Sequence, residues 1–538
     1  MNPSTAIGCR GELPREGGIL APTNLKSRLV PARAFSHRHP RRWISACLAV
    51  ALACAPLSPV PYARAPIADA SAQTLPDLGD VAQASLSPSQ EHQLGEAVVH
   101  QLRASGAYLN DPEVNDYLNE IGHRLIAAST DVKTDFRFFA VNDPTINAFA
   151  LPGGFVGVNT GLILLTQSES ELASVLAHEI THVTQHHIAR AIAAQKDSML
   201  MSLAGLAVAI LAAHGGGASS GDAASAAIAA TQALNLQHQI DFTRSQEQEA
   251  DRIGFQRLEG AGFDANAMAT FMERLQRATR FSSGATIPAY LQDHPVTYER
   301  IAEAQARAAS VPYHQVVDSL DYDLVRALLR SYQGEPPQAV RYFDDALAEH
   351  KYNNRIAAQY GLVASLLRTK DHARMKSELA KLEQIAPPHP MIDAIAGHVM
   401  LETGQLDAAI RSFKAGVDRY PNKMQMVYDY PDALLQAGRS AEAAKFVEQE
   451  LDRFPRDGPL QLLAARAYAA QNKQMLSHRH QAEYYAWQGN LKAAIDQLEI
   501  ASKAGDGNFY EASVIDSRLR AFRKQAAEDK KAGFGRSG

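Results

Sequence analysis

Ala177-His178-Glu179-Ile180-Thr181-His182 is the stretch on which the rest of the chain turns. It reads H-E-x-x-H inside a segment of helical character. Two histidines four residues apart lie one turn apart on one face of a helix. Imidazoles so placed can close on a single Zn2+. Glu179, beside the first histidine, can then take a proton from water that the metal activates. The pattern implies metal-dependent peptide hydrolysis. Such a site needs a third ligand, an edge to hold a peptide and a shielded compartment, and the remaining sequence is read for these.

The helix carrying the motif is expected to begin at Ser168, with Glu171 three residues on closing a capping box. Leu172, Val175, Leu176 and Ile180 give it an apolar face beside which His178 and His182 project. A structural histidine pair would leave the intervening Glu179 unexplained. One metal does not readily span three successive turns, so His186 and His187 are read as solvated or as supports outside the ligand set.

Upstream, Ser87-Pro88-Ser89-Gln90 is a helix start with Ser87 as N-cap, followed by Leu94, Val98 and Leu102 on one face. A second helix starts near Asp111-Pro112 and carries Val114, Leu118, Ile121 and Leu125. Residues 136–141 read as a strand. Residues 146–159 hold two short β runs around Pro152-Gly153-Gly154, a hairpin or a bulged edge. An edge at Asn147, Ala148 and Phe149 could pair with an extended peptide and present its carbonyl to the metal. An ordinary hairpin is the alternative.

The third ligand is sought at residues 243–255, where Glu247 and Asp251, four apart, share a helix face. One carboxylate can bind zinc while the other hydrogen-bonds a ligand histidine or the substrate. Glu249 points away and is expected to be solvated. A merely charged, exposed helix is the bland alternative.

Asn147 to Gly154, His178-Glu179-x-x-His182 and Glu247-x-x-x-Asp251 occur in family order, and together they resemble the zinc peptidases that include the CAAX prenyl proteases and the heat-shock membrane protease. The resemblance spans about residues 86–310 and is strongest to the exported branch that carries a repeat domain. It implies that His178, His182 and Glu247 bind one Zn2+ per chain, that Glu179 is the base, and that Asp251 supports the ligands or donates a proton. It also implies that His294, in His294-Pro295, can occupy the open metal position as a latch. Alternatively His294 caps a helix starting near Val296-Thr297.

The composition, 46% hydrophobic and 21% charged over 538 residues, is that of a globular protein with room for two or three domains. Residues 1–65 hold nine Lys/Arg against two Asp/Glu, leaving 44 basic and 56 acidic residues, a net charge of −12, for the remainder. That acidic body argues against a nucleic-acid partner. The apolar run at residues 43–55 suits a signal peptide, with Ala63-Arg64-Ala65 as a cleavage site. Cys9, Cys47 and Cys54 all lie in this leader, so no disulfide is expected after its removal. Residues 66–85 read as a linker. The weakly apolar run at residues 199–213 and the Ala-rich helix to 234 are too short and diluted for a comfortable span. A helical hairpin covering the site or touching a membrane surface near 199–235 is expected.

Beyond residue 310, Gly404, Ala409, Phe413 and Pro421 recur as Gly438, Ala443, Val447 and Pro455, each shifted by 34. Gly334-Ala339-Phe343 and Gly489-Ala494-Leu498 are further copies. This period signals tetratricopeptide repeats. The expected fold is mainly α with a small β-sheet: a zincin-type metalloprotease domain at 86–310 followed by an α-solenoid of tetratricopeptide repeats at 311–538. The expected partners are protein or peptide substrates bound through the repeats. By the resemblance, these are misfolded or stalled outer-membrane proteins and their assembly machinery in a Gram-negative periplasm. A periplasmic chaperone or scaffold with a latched or vestigial metal site is the rival reading.

Overall fold

The structure, a computed structural model, describes residues 87–129, 134–193, 243–280, 290–291 and 294–531. The leader at 1–65, the linker at 66–85 and the hairpin expected near 199–235 lie outside the described residues. Helix α1 (Pro88–Ala104) starts on a complete capping box between Ser87 and Gln90. Helix α2 (Pro112–Ala127) starts at Asp111, whose side chain accepts from the Val114 amide at 3.1 Å. Both place proline just inside the start, where its missing N–H costs nothing.

Three strands follow: β1 (Arg137–Val141), β2 (Ala148–Leu151) and β3 (Phe155–Asn159). Their order is β1-β3-β2, with β1 parallel and β2 antiparallel to β3. The β2–β3 turn uses Gly153 and Gly154 at φ 79° and 91°, a region that disfavours side chains. The two sheet edges differ. On β1, Asn119 of α2 bonds both the Phe138 amide (3.0 Å) and its carbonyl (2.7 Å), while Asn115 accepts from the Ala140 amide at 2.9 Å. Helix α2 therefore seals that edge with amide side chains. The outer edge of β2 is without a strand partner among the described residues.

After the short α3 (Thr160–Leu165), α4 (Glu169–Thr184) crosses the core and is buried from Glu169 to Thr181. Ser168 caps it by accepting from the Glu171 amide at 3.2 Å. The Glu171 carboxylate does not close the box on Ser168. It accepts from the Gln167 amide (2.8 Å) and takes a two-pronged bond from Arg274 (3.1 and 2.8 Å) on a later helix. The chain breaks helix at His186 (φ 50°) and resumes as α5 over residues 187–193. Helix α6 covers residues 243–260, and α7 (Ala267–Arg280) and α8 (Tyr298–Ala309) complete the domain.

From residue 320 the chain is helical to residue 531. The helices are α9 (Leu320–Tyr332), α10 (Pro336–Ala348), α11 (Arg355–Thr369), α12 (His372–Ile385), α13 (Pro390–Glu402) and α14 (Leu406–Arg419). Then come α15 (Met424–Gln436), α16 (Ser440–Arg453), α17 (Gly458–Ala469), α18 (Gln474–Trp487), α19 (Leu491–Ala501) and α20 (Phe509–Lys531). Successive helices pack against each other. Gly334, Gly404, Gly438 and Gly489 sit in the tight turns at φ 65–81°, so the recurring glycine marks a left-handed backbone position. Ala409, Phe413, Ala443 and Val447 are fully buried at the helix contacts. Pro421 and Pro455 lie two residues past the ends of α14 and α16. Among the described residues no helix is long and apolar enough to cross a membrane.

The helical region also packs onto the first domain. Asp111 and Glu113 of α2 accept from the Tyr332 and Tyr360 hydroxyls at 2.7 and 3.1 Å. Asp116 accepts from the Met424 amide at 2.8 Å, and Arg103 of α1 donates to the Trp487 carbonyl at 3.0 Å while lying over its ring.

Candidate metal centre

His178, His182, Glu247 and His294 converge, each offering a donor atom within 4.8 Å of the others. His178 and His182 come from one face of α4, Glu247 from α6, and His294 from the turn before α8. His178 Nε2 stands 3.0 Å from His182 Nε2, 3.3 Å from His294 Nδ1 and 3.4 Å from Glu247 Oε2. Glu247 Oε1 is 3.4 Å from His182 Nε2 and 2.9 Å from His294 Nδ1. A tetrahedron around Zn2+ with bonds of about 2.0–2.1 Å has edges of about 3.3–3.4 Å. These five donor-to-donor distances, 2.9–3.4 Å, lie at or just below that spacing.

The groups behind the donors orient them. Asp251, one turn beyond Glu247 on α6, lies with Oδ1 3.0 Å from His178 Nδ1. An ionised carboxylate only accepts, so Nδ1 carries the proton and Nε2 keeps its lone pair for a metal. Arg300 of α8 holds the other side of Asp251 through Nε (2.6 Å) and Nη2 (2.8 Å). Its Nη1 reaches the Pro295 carbonyl (2.8 Å) and lies 2.8 Å from Glu247 Oε2. One buried guanidinium therefore holds both carboxylates of α6 and the turn that bears His294.

Gly254 completes that face of α6 and lets it lie against α4: a Cβ there would stand 3.2 Å from the Ala177 carbonyl group and from the His178 amide nitrogen.

The electrostatics call for a cation. Burial alone would lower the His178 pKa, yet Asp251 and Glu247 push it up to about 10. Burial works to raise the Glu247 carboxyl, but His294 and His178 hold it well below the usual range. Burial, then the charges of His178 and His294, push His182 well below an ordinary histidine. His178 Nε2 and His182 Nε2, 3.0 Å apart, can both turn lone pairs to one cation when their Nδ1 atoms carry the protons. The residues present fit a divalent ion of zinc's size and ligand preference.

Glu179 is fully buried, and neither of its carboxylate oxygens finds a full hydrogen bond. His294 Nε2 lies 3.5 Å from Oε1, and the backbone amide of Ala150 on β2 also faces the group. Burial raises its pKa, opposed by His294 and His178, which moves the carboxylate toward the basicity a proton shuttle needs.

The structure brings the remaining sequence-predicted residues close by. Ala148 and Phe149 lie on edge strand β2. Asn147 precedes it and accepts from the Asn159 amide at 2.9 Å through its carbonyl, while its side-chain Oδ1 is buried without a partner. His294 does not cap α8. That role falls to Thr297, which accepts from the Arg300 amide at 3.3 Å. His294 instead enters the donor cluster, its ring against Tyr290 at 4.8 Å. His187 is buried, with Nδ1 2.8 Å from His182 Nδ1. Glu249, expected in solvent, is half-buried and meets His187 at 3.1 Å and Arg190 at 2.8 Å.

Sequence reading missed Arg300 and Gly254, and it placed Glu249 in solvent where it partners His187, for which a support outside the ligand set was one of two readings. Arg300 sits in a mixed-charge helix with no local signal. Gly254 carried one: a glycine one turn past two site carboxylates, on their face.

An H-E-x-x-H helix closed by a glutamate from a later helix defines a metal-dependent peptidase, and the chain is one. It belongs to peptidase family M48, whose profile matches residues 112–308. Its relatives include the beta-barrel assembly-enhancing protease of Escherichia coli, 35% identical over 455 residues, 84% of this chain and 92% of the relative. The protein of the same name from Yersinia pestis is 33% identical over 451 residues, again 84% and 92%. The mitochondrial metalloendopeptidase OMA1 of Schizosaccharomyces pombe is 33% identical over 208 residues, 37% of this chain and 57% of the relative.

Proposed function

We propose that this chain is an exported zinc endopeptidase acting on outer-membrane proteins in a Gram-negative periplasm, with substrates selected by its helical repeats. The convergence of His178, His182, Glu247 and His294 beside the orphaned Glu179 carries the enzymatic part. The names of the relatives, matched over most of their length, support the substrate class. The helix pairs with their recurring glycines support reading residues 311–538 as tetratricopeptide repeats, which dock partners such as outer-membrane assembly machinery.

His178, His182 and Glu247 would hold the metal. Zinc supplies a Lewis acid that polarises a scissile carbonyl and acidifies water. A substrate strand pairs with the outer edge of β2 near Ala148 and Phe149, which lays it beside Glu179. Glu179 takes the proton of the attacking water on its carboxylate and returns it to the leaving amine. Asp251, held ionised by Arg300 and His178 against the pull of burial, has no proton to give and orients His178 instead. Glu179→Gln is expected to keep one zinc per chain and lose cleavage of an unfolded outer-membrane protein. Undiminished cleavage would sink the mechanism.

His294 supports a second, regulatory reading. Its Nδ1 stands at the fourth corner of the donor set and its Nε2 faces Glu179, so it excludes a substrate from both. In this reading it is a latch that must swing out before cleavage. His294→Ala should raise the cleavage rate of a casein-like unfolded substrate at least several-fold; an equal or lower rate would remove the latch.

A further inference from the structure

His187 is a buried histidine beside the metal site that the proposed mechanism leaves unused. It follows the metal helix, but not on the helical register. Five residues past His182 on a continuous helix, a side chain would point about 140° away. His186 adopts a left-handed backbone (φ 50°), a conformation that non-glycine residues take up at a cost. That turn brings His187 back, and Gln246 of α6 pins its carbonyl at 3.1 Å. The result is an unbroken series of contacts: His182 Nδ1 to His187 Nδ1 at 2.8 Å, His187 Nε2 to Glu249 Oε2 at 3.1 Å, and Arg190 Nη1 to the same oxygen at 2.8 Å.

The chemistry of the end groups fixes the direction of every hydrogen bond. Arg190 only donates, and the Glu249 carboxylate only accepts. His187 Nε2 must therefore carry a proton to bond Glu249. A neutral imidazole has one N–H, so His187 Nδ1 is an acceptor. The proton in the 2.8 Å contact then belongs to His182 Nδ1, and His182 Nε2 is left with its lone pair facing the metal position. The opposite tautomer would put an N–H where a ligand is needed. His178 obtains the same result directly from Asp251. We propose that His187 and Glu249 are positioning residues, a relay that fixes the tautomer and ring orientation of His182 and so completes the metal site.

This inference rests on the metal-centre reading, and its test separates the two. The zinc dissociation constant of the full chain is measured by competition with a chromophoric chelator, without reference to activity. Glu249→Ala removes the acceptor, and zinc binding should weaken 10- to 100-fold, the usual effect of losing such a partner. His187→Phe keeps the buried ring but removes both nitrogens, and should weaken binding by a similar factor. Glu249→Gln should restore affinity to within about threefold, because Arg190 turns the amide oxygen toward the same two donors. A role resting on the negative charge of Glu249 alone predicts that Gln and Ala behave alike. The relay is overturned if Glu249→Ala and His187→Phe both bind zinc within about twofold of the unaltered chain, or if Glu249→Gln is as weak as Glu249→Ala. If the unaltered chain itself takes up no zinc, the metal-centre reading falls first and the relay falls with it.

Discussion

Gly254→Ala adds one methyl group at the place where the two helices that carry His178, His182 and Glu247 touch. Glu247, Asp251 and Gly254 follow one another at helical spacing along one face of α6. A Cβ at 254 would lie 3.2 Å from the carbonyl carbon and oxygen of Ala177 and from the amide nitrogen of His178. Ordinary carbon contacts lie at about 3.5–4.0 Å, so α6 must withdraw by roughly 0.3–0.8 Å. The obstructing atoms are backbone within a buried helix and cannot swing aside. Glu247 and Asp251 ride on α6, whereas His178 and His182 ride on α4, so the withdrawal opens the donor set itself. Metal–ligand distances tolerate only about 0.2 Å.

Zinc affinity should therefore fall roughly 10- to 100-fold, the scale seen when ligand support is lost. Global stability should change little. Replacing a helical glycine by alanine favours the helix by about 1 kcal/mol, against an overpacking cost of about 1–3 kcal/mol. Chelator competition gives the first quantity and melting in EDTA gives the second. The reasoning fails if Gly254→Ala binds zinc within about twofold of the parent. It fails equally if affinity is lost only together with a collapse of the metal-free melting temperature, because the effect would then be unfolding and not displacement.

Arg300→Met removes the cation that holds Asp251 and Glu247, and stranding such buried partners typically costs about 3–5 kcal/mol. Metal-free melting should drop sharply, and adding Asp251→Asn should recover part of the loss; no recovery would refute the pairing argument. The interface between α2 and the helical repeats should weaken with rising pH. Burial raises the Asp116 carboxyl to about 7, so the stability linked to its bound proton is lost as pH climbs from about 4 through 7. Burial would lower His398, but Asp429 and Glu113 raise it to about 9, so its contribution is full below about 6.5 and is lost by about 9. A melting temperature that stays flat or rises from pH 6 to 9 in EDTA would contradict both assignments, and Asp116→Asn and His398→Gln should each flatten their own part of the curve.

The sequence discloses what is local and periodic. The H-E-x-x-H spacing, the Ser168 cap and the four-residue step from Glu247 to Asp251 each follow from one helix's geometry, and the 34-residue recurrence of glycine and proline marks the helix pairs. The β2–β3 hairpin is legible from its two glycines. The parallel pairing of β1 with β3 is not, since it joins segments through an intervening strand, and the sealing of β1 by Asn115 and Asn119 depends on where α2 docks. Whether His187 is solvated or a support stays open in the sequence, because a single left-handed residue resets the register and the helical spacing rule does not carry it back to His182. Arg300 escapes because its two partners lie about fifty positions upstream. Everything that brings α4, α6 and the turn before α8 together is non-local.

The charges around the site explain why those non-local pieces come together in this form. Three carboxylates are buried there: Glu179, Glu247 and Asp251. One fixed cation, Arg300, is buried with them. Arg190 and Glu249 balance each other behind His187. With neutral imidazoles the centre thus carries an excess of two negative charges in a region where unpaired charge is costly. A divalent ion at the four-donor point cancels that excess. Without it, protons must do so, which is the direction in which His178, His294 and Glu179 are all displaced. A monovalent ion would leave the site negative, and a fourth protein carboxylate in place of His294 would overshoot. An imidazole at that corner adds a donor without adding charge, so the proposed latch could swing out without disturbing the balance. The same count that favours a dication therefore also favours histidine, and not aspartate or glutamate, at that corner.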